Sequence, residues 1–161
     1  MKTEIIKVGI ADMNIVKGDE VIRTSGLGSC VGIILYDELS KIAGLAHIML
    51  PQSSIGSSTN KAKFADTAIP ELLQQLKLKG AKSTRMKAKI AGGSQMFKLS
   101  AQTELMRIGP RNVEAVKENL RSLNIPLLAE DVGGSNGRTI EFSPATSILH
   151  IRTVNLGVKE I

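Results

Sequence analysis

The chain has 161 residues, of which 42% are hydrophobic and 22% are charged, proportions that exclude disordered and fibrous proteins. This length suits one domain with a buried core, so we expect a single domain spanning residues 1–161. The net charge of +6 suits an acidic partner, but one Tyr, three Phe and no Trp are too few for a base-stacking platform, which argues against nucleic acid.

The lengths of the apolar runs and the number of cysteines indicate the cellular compartment of the protein. Charges interrupt the N-terminal segment Met1–Lys7, and no run approaches the roughly 18 apolar residues that a membrane span requires. A single cysteine, Cys30, cannot form an internal disulfide and points to a reducing compartment. We therefore expect a cytoplasmic protein that is not itself a membrane protein. No metal-ligand spacing and no complete nucleotide-binding motif is found, so we expect neither metal nor cofactor.

Apolar and alternating runs predict strands at both ends of the chain, with helices between them. The sum is an α/β (α+β) fold in which mixed β-sheets pack as a sandwich-like core with flanking helices. The predicted strands cover residues 5–10, 21–24, 31–36, 42–50, 88–91, 127–130, 139–142 and 148–154.

Two helices are predicted. The first runs from Lys61 to Gly80, and Pro70 inside it requires either a kink or a helix that begins near Ile69. Pro110 suits the first position of the second helix. The apolar residues at helical spacing are Phe64, Ala68, Leu72 and Leu76 in the first helix and Val113, Val116, Leu120 and Leu123 in the second.

Cys30 lies in a glycine-rich turn directly before an apolar strand, in the segment Ser25-Gly26-Leu27-Gly28-Ser29-Cys30-Val31-Gly32. Small neighbours let a substrate approach the backbone and leave N–H groups free to hold an oxyanion. A free cysteine taken alone is more often a core residue. The interpretation of Cys30 as a nucleophile therefore depends on a second residue.

That second residue is His47, a polar insertion in an otherwise apolar strand. The strands on either side of Asp37–Ser40 predict an antiparallel hairpin. If its loop pairs Tyr36 with Lys41, Cys30 lies directly opposite His47, where Cβ atoms are about 4.5–5.5 Å apart. An imidazole there favours the thiolate and can return its proton to a departing amine, as acyl transfer requires. The alternative is that two core residues meet by chance.

A third group usually orients such an imidazole, and the spacing leaves Thr24, Ser25 and Ser29 open for this role. Asp131, in the segment before Gly133, is predicted to be a turn residue, and His150 to be structural. Six basic residues without an acid form a candidate docking surface for an acidic partner, although a solvated helix end is the simpler interpretation. They are Lys77, Lys79, Lys82, Arg85, Lys87 and Lys89.

Several motifs, in order along nearly the whole chain, resemble the CheD family of chemoreceptor glutamine deamidases. The first are Leu27-Gly28-Ser29-Cys30-Val31, Gly44-Leu45-Ala46-His47 and Leu50-Pro51. Further similar segments are Ala88-Lys89-Ile90 with Gly92-Gly93 and Met96-Phe97, Ile108-Gly109 with Arg111-Asn112-Val113, and Asp131-Val132-Gly133-Gly134 with Gly137-Arg138. Ser94 stands where a residue such as Ala is expected, a departure that we do not expect to touch the site.

The resemblance implies a Cys-His-Thr site composed of Cys30, His47 and Thr24. Cys30 would attack specific Gln side chains of methyl-accepting chemotaxis receptors and form a thioester with release of ammonia. Backbone N–H groups near Gly28, Ser29 and Cys30 would hold the oxyanion. The resemblance also implies a CheC-type phosphatase as partner. The alternatives are a non-catalytic module that regulates such a phosphatase and a cysteine peptidase or transferase.

Overall fold

The computed structural model describes residues 3–53, 59–95 and 107–161. Within these ranges the chain forms ten strands, two α-helices and two short 3-10 turns. In chain order they are β1 (Ile5–Val8), β2 (Met13–Lys17), β3 (Val21–Leu27), β4 (Val31–Asp37), β5 (Ile42–Ile48), the turn Lys61–Lys63, α1 (Ala65–Leu78), the turn Ser83–Arg85, β6 (Met86–Gly92), α2 (Ile108–Ser122), β7 (Leu127–Val132), β8 (Arg138–Ser143), β9 (Ile148–Thr153) and β10 (Gly157–Glu160).

The strands form two five-stranded mixed sheets. Sheet A has the strand order β1-β3-β8-β9-β10, and sheet B has the order β2-β5-β4-β6-β7. The pairs β1–β3 and β6–β7 are parallel, and the other pairs are antiparallel. The β4–β5 hairpin, whose second strand contains His47, lies at the centre of sheet B.

Sheet B is buried on both faces. In β4, Ile33 and Leu35 pack against the two helices, whereas Ile34 and Tyr36 pack into a second core that includes Phe142 of sheet A. Successive side chains of a strand point to opposite faces, which explains why every residue of β4 and β5 is buried. The molecule therefore has three layers, sheet A, sheet B and the helices, and the predicted α+β sandwich with flanking helices is confirmed.

Both predicted helices occur, with different starts. The first begins at Ala65, so a start near Ile69 is wrong, and Pro70 lies inside the helix. Burial of its apolar face outweighs the one backbone hydrogen bond that a proline removes. The second helix begins at Ile108, which makes Pro110 its third residue, still within the first turn, where N–H groups have no helical partner. The predicted apolar faces pack into the helix-side core, except for Phe64, which is the N-cap residue of α1.

Two strands were not predicted, and both are at sheet edges. Strand β2 pairs only with β5, and β10 pairs only with β9 and is exposed along its whole length. An edge strand needs no continuous apolar pattern, so the sequence signal is weak. Strand β3 extends to Leu27, beyond the predicted end at Thr24, through an irregularity in its pairing with β8 that contains Gly26 at φ +73°.

Candidate active site

His47 is fully buried between the two sheets and lies beside Thr24. Its Nδ1 is 2.7 Å from Thr24 Oγ1, and the same Oγ1 is 2.7 Å from the carbonyl oxygen of Val8. A carbonyl oxygen only accepts, so the Thr24 hydroxyl donates its proton to Val8 and accepts the Nδ1–H of His47. This tautomer places the imidazole lone pair on Nε2, the atom that a general base uses.

The packing of the sheets brings Thr24 and His47 together. Thr24 lies on β3 of sheet A, where it pairs with Val8 of β1, and His47 lies on β5 of sheet B. Directly opposite His47 is Gly32, where a Cβ would meet Ile140 Cδ1 at 2.6 Å. The absence of a side chain at Gly32 therefore allows sheet A to approach sheet B next to the imidazole.

The register of the β4–β5 hairpin differs from the predicted one. Tyr36 pairs with Ala43, not with Lys41, and the loop extends to Lys41, whose φ is +57°. Asp37 stays in the strand because its carboxylate is anchored: it accepts hydrogen bonds from Arg85, from N–H groups of the loop itself and from the Lys82 N–H before β6. The predicted pairing is therefore wrong by two residues.

This shift changes how Cys30 relates to His47. Cys30 is not directly opposite His47 as predicted, because Gly32 holds that place. A two-residue shift preserves the face of a strand, and Cys30 packs against the same inter-sheet core that contains the imidazole. Cys30 precedes β4 by one residue, and an extension of the register would make it a diagonal neighbour of His47, for which Cβ atoms are about 7–8 Å apart or somewhat less. Such a separation lets a thiol and an imidazole ring approach each other.

Both groups are favoured in their uncharged forms. Burial raises the pKa of the Cys30 thiol, an effect that its own backbone N–H partly offsets. Burial lowers the pKa of His47 to about 4, so the imidazole is neutral at pH 7. His47 Nε2 is buried and has no hydrogen-bond partner among residues 3–53, 59–95 and 107–161. It is therefore available to accept a proton.

The turn before Cys30 is fixed by the segment that follows β6. Gly93 N–H donates to the Cys30 carbonyl at 2.8 Å, and Ser94 N–H donates to the Gly28 carbonyl at 2.8 Å. The Ser94 contact is made by the backbone, which any residue at this position would provide, whereas its hydroxyl lies near Gly133, Asn136 and Arg138. Gly28 N–H donates to the Gly26 carbonyl at 3.1 Å, and its role as an oxyanion donor stays a prediction. In the described chain, the N–H groups of Ser29 and Cys30 donate to no backbone carbonyl.

Sequence reasoning missed a polar cluster under this segment. Arg138 is almost fully buried; its Nη1 lies 3.0 Å from Ser94 Oγ and 3.3 Å from the Gly92 carbonyl, and its Nε is 3.1 Å from Asp131 Oδ2. Asp131 belongs to β7, so its prediction as a turn residue is wrong. Asp131 is close to Arg138 in sequence, but Gly92 and Ser94 are 46 and 44 residues away from it, and contacts over such a separation have no local sequence signal.

Asn112 is a second residue that sequence reasoning assigned no role. It is fully buried in α2, and its Nδ2 contacts the carbonyl oxygens of Ser29 and Met49. Asn is a poor residue for the interior of a helix, and this is the one sequence signal that could have drawn attention to it.

The remaining candidate residues lie elsewhere. His150 is on β9, with Nδ1 3.3 Å from Glu160 Oε1, and takes no part in the site. The basic stretch is not a uniform positive surface: Arg85 pairs with Asp37, Lys87 pairs with Glu38, and Lys89 is buried. Within the part of the chain that the structure describes, no group of three or more His, Cys, Asp or Glu residues is placed to hold a metal ion.

These features define a class: an α+β protein that carries a free cysteine and a buried, neutral histidine whose Nδ1 is hydrogen-bonded to a threonine. Thiol-dependent acyl-transfer enzymes use groups of these kinds. The family model described as CheD chemotactic sensory transduction matches residues 49–153, and the chain belongs to the CheD family. The matched range begins after His47, so the similarity does not depend on the site residues. None of the described helices is long and apolar enough to cross a membrane.

Full-length relatives extend the similarity to nearly the whole chain. The chain is 59% identical to the chemoreceptor glutamine deamidase CheD of Halalkalibacterium halodurans, over 98% of this chain and 99% of that protein. It is 54% identical to the protein of the same name from Bacillus subtilis, over 98% and 96%. Among solved structures, protein NMB0706 of Neisseria meningitidis is similar in fold, with a TM-score of 0.53 and 8% identity over 83% of this chain and 65% of that one.

Proposed function

We propose that the protein is a protein-glutamine deamidase that converts specific Gln side chains of methyl-accepting chemotaxis receptors to Glu. The observation that carries the proposal is the Thr24–His47 hydrogen bond, which leaves Nε2 as a free base in the core against which Cys30 packs. The names of the relatives at 54–59% identity support the choice of a glutamine side chain in a chemoreceptor as substrate.

The reaction begins with a proton transfer. Cys30 Sγ attacks the carboxamide carbon of the substrate while its proton passes to His47 Nε2. The carbonyl oxygen becomes an oxyanion, for which the Ser29 and Cys30 N–H groups are the proposed donors. His47 then protonates the departing nitrogen. Ammonia leaves, and the acyl group stays on sulfur as a thioester.

Hydrolysis of the thioester completes the cycle. His47 removes a proton from a water molecule that attacks the thioester carbon, and the thiol of Cys30 leaves with that proton. The net change is amide plus water to acid plus ammonia. Thr24 contacts no reacting atom in this scheme. It holds His47 in the tautomer that the two proton transfers require.

The neutral thiol and imidazole fit this sequence of steps. Burial disfavours a thiolate–imidazolium pair in the free protein, because it raises the pKa of Cys30 and lowers the pKa of His47. Charge therefore develops when the substrate carbonyl is in place to receive the electron pair. This arrangement protects the thiol from unrelated electrophiles between turnovers.

The proposal includes a compartment and a regulatory partner. A substrate in the signalling part of a chemoreceptor and a single reduced cysteine suit the cytoplasm. A CheC-type phosphatase is the proposed partner, supported by membership of the CheD family. Partner binding and catalysis are separable, because removal of one sulfur atom from Cys30 leaves the surface almost unchanged. The variant Cys30→Ala should bind the partner as the wild type does.

The test is mass spectrometry of a folded chemoreceptor cytoplasmic fragment incubated with the reduced protein. Wild type should convert individual glutamines to glutamate, and Cys30→Ala should convert none. Cys30→Ser, which keeps the shape of the side chain but is a far weaker nucleophile, should be nearly inactive as well. Equal conversion by Cys30→Ala, or cleavage of the receptor backbone by the wild type, would overturn the proposal.

A further inference from the structure

Asn112 joins the two segments that carry the nucleophile and the base. Its side chain is fully buried, and its Nδ2 lies 2.9 Å from the carbonyl oxygen of Ser29 and 2.9 Å from that of Met49. Ser29 immediately precedes Cys30, and Met49 follows His47 by two residues. One carboxamide thus connects helix α2 to both sides of the site.

The two contacts fix the orientation of the Asn112 amide. Both partners are carbonyl oxygens, so the amino group must face them and both of its N–H bonds are used. Oδ1 is buried and, within the described ranges, has no hydrogen-bond partner. Position 112 therefore needs a donor of two hydrogen bonds. An aspartate of nearly the same shape would instead direct an anionic oxygen toward two carbonyl oxygens.

The Ser29 contact determines the direction of a second group. In a planar trans peptide the carbonyl oxygen and the following N–H point in opposite directions, so anchoring the Ser29 oxygen also aims the Cys30 N–H. That N–H lies near the Cys30 sulfur and donates to no other backbone carbonyl in the described chain. It therefore lies beside the attacking sulfur and is committed to no carbonyl in the described chain when the oxyanion develops.

Helix α2 holds the backbone of Asn112 in a fixed position. A Cβ on Gly109 would collide with the Ser94 carbonyl oxygen, and a Cβ on Gly93 would collide with Val113. The helix thus lies in direct backbone contact with the segment that binds the Cys30 carbonyl. A side chain on such an element is held more precisely than one on a loop.

We propose that Asn112 is a positioning residue that aims the Cys30 N–H at the oxyanion of the tetrahedral intermediate and couples the nucleophile segment to the segment of the base. The inference rests on the proposed deamidase function. It predicts a defect in the chemical step with little change in receptor binding, because Asn112 is buried and meets only backbone atoms of the site.

The experiment compares two reactions of the same thiol in wild type, Asn112→Asp and Asn112→Ser. Deamidation of the receptor fragment forms an oxyanion, whereas alkylation of Cys30 by iodoacetamide displaces iodide from a saturated carbon and forms none. We expect kcat for deamidation to fall by about 100-fold, the effect of losing one oxyanion donor, with KM and the alkylation rate nearly unchanged. Asn119→Ala is the matched control, since Asn119 Nδ2 contacts only Ala115 of the same helix.

Each outcome decides the question. An unfolded fraction lowers deamidation but exposes the Cys30 thiol and raises its alkylation. The folded fraction of each variant is therefore measured by urea unfolding, and the ratio of deamidation to alkylation is compared where every variant is fully folded. An unchanged ratio, whether both rates persist or both fall together, would overturn the role in aiming the N–H. A wild type that is alkylated but does not deamidate would overturn the proposed function, and with it this inference. A wild type that deamidates beside variants with normal kcat would overturn the inference alone.

Discussion

Thr24 Oγ1 lies 2.7 Å from His47 Nδ1, although the two residues belong to different sheets. Thr24 donates its only hydroxyl proton to the Val8 carbonyl, so towards His47 it can only accept a hydrogen bond. Nδ1 must therefore carry the proton of the neutral imidazole. The tautomer of the proposed base is thus determined by strand β1, which has no residue in the site. The pairing of β1 with β3 at the edge of sheet A therefore determines which nitrogen of His47 carries the proton.

Replacing Thr24 with valine tests this connection. Valine has the shape of threonine without the hydroxyl, so the variant leaves His47 Nδ1–H and the Val8 carbonyl without partners. Each buried unpaired group costs about 1–3 kcal/mol. We expect a lower free energy of unfolding in urea and, since about 1.4 kcal/mol is a factor of ten in rate, a 10- to 100-fold lower kcat for deamidation.

The control for this variant is Thr24→Ser, which keeps the hydroxyl and loses one methyl group. It should retain most of the activity even where stability falls slightly. A Thr24→Val protein with the activity of the wild type would show that the imidazole keeps its tautomer by other means.

The pH dependence of stability follows from the burial of His47. Burial lowers its pKa from 6.5 to about 4, so between these values the unfolded chain binds a proton that the folded protein does not. The contribution of His47 to the free energy of unfolding is therefore greatest above pH 6.5. It falls as the pH decreases toward 4, by about 3 kcal/mol in all. Urea unfolding at a series of pH values measures this slope.

The slope should disappear in His47→Gln and persist in His150→Gln, whose imidazole is 43% exposed. Asp37 does not interfere. Its Arg85 partner and backbone donors hold its pKa below the ordinary value of 3.8, so its contribution is lost only at lower pH. Equal slopes for wild type and His47→Gln across this window would contradict a buried neutral imidazole.

The resting thiol of Cys30 should behave as a protonated group at neutral pH. Burial raises its pKa above the ordinary value of 9.0, so alkylation by iodoacetamide should be slow at pH 7 and still rising beyond pH 9. Because the sequence has one cysteine, intact-mass measurement reports this site alone. Protein unfolded in urea gives the reference curve of alkylation rate against pH, and its rise should occur at lower pH than in the folded protein. A rate that reaches its plateau below pH 7 would instead indicate a thiolate–imidazolium pair.

The Asp37–Arg85 ion pair should affect stability without affecting catalysis. The Asp37 side chain is fully buried and 2.9 Å from Arg85 Nη2, at the end of β4 remote from Cys30. Removing the guanidinium leaves a buried carboxylate unpaired, so Arg85→Ala should lower Tm by more than about 5 °C. Lys87→Ala breaks the exposed pair with Glu38 and should change Tm by less than about 2 °C.

Deamidation by Arg85→Ala, measured well below its Tm, should match that of the wild type. A loss of kcat in the folded variant would show that the two ends of β4 are coupled and would contradict this prediction.

The sequence by itself indicated the elements whose signals are local. The runs around Ile33 and Leu45 predicted the central strands, and apolar spacing predicted both helix faces, because periodicity depends only on near neighbours. Cys30 and His47 were selected because a thiol in a glycine-rich turn and an imidazole in an apolar strand are each chemically unusual in their surroundings. Spacing alone left Thr24, Ser25 and Ser29 equally possible as a third group.

Only the tertiary structure decided the features that depend on distant segments. The anchoring of Asp37 by the segment before β6 set the hairpin register two residues from the predicted one. The packing of two sheets brought the Thr24 hydroxyl to His47, and helix α2 brought Asn112 to Ser29, 83 residues away. Such contacts form where burial of apolar faces brings the layers together, and no local pattern encodes which backbone groups then remain free.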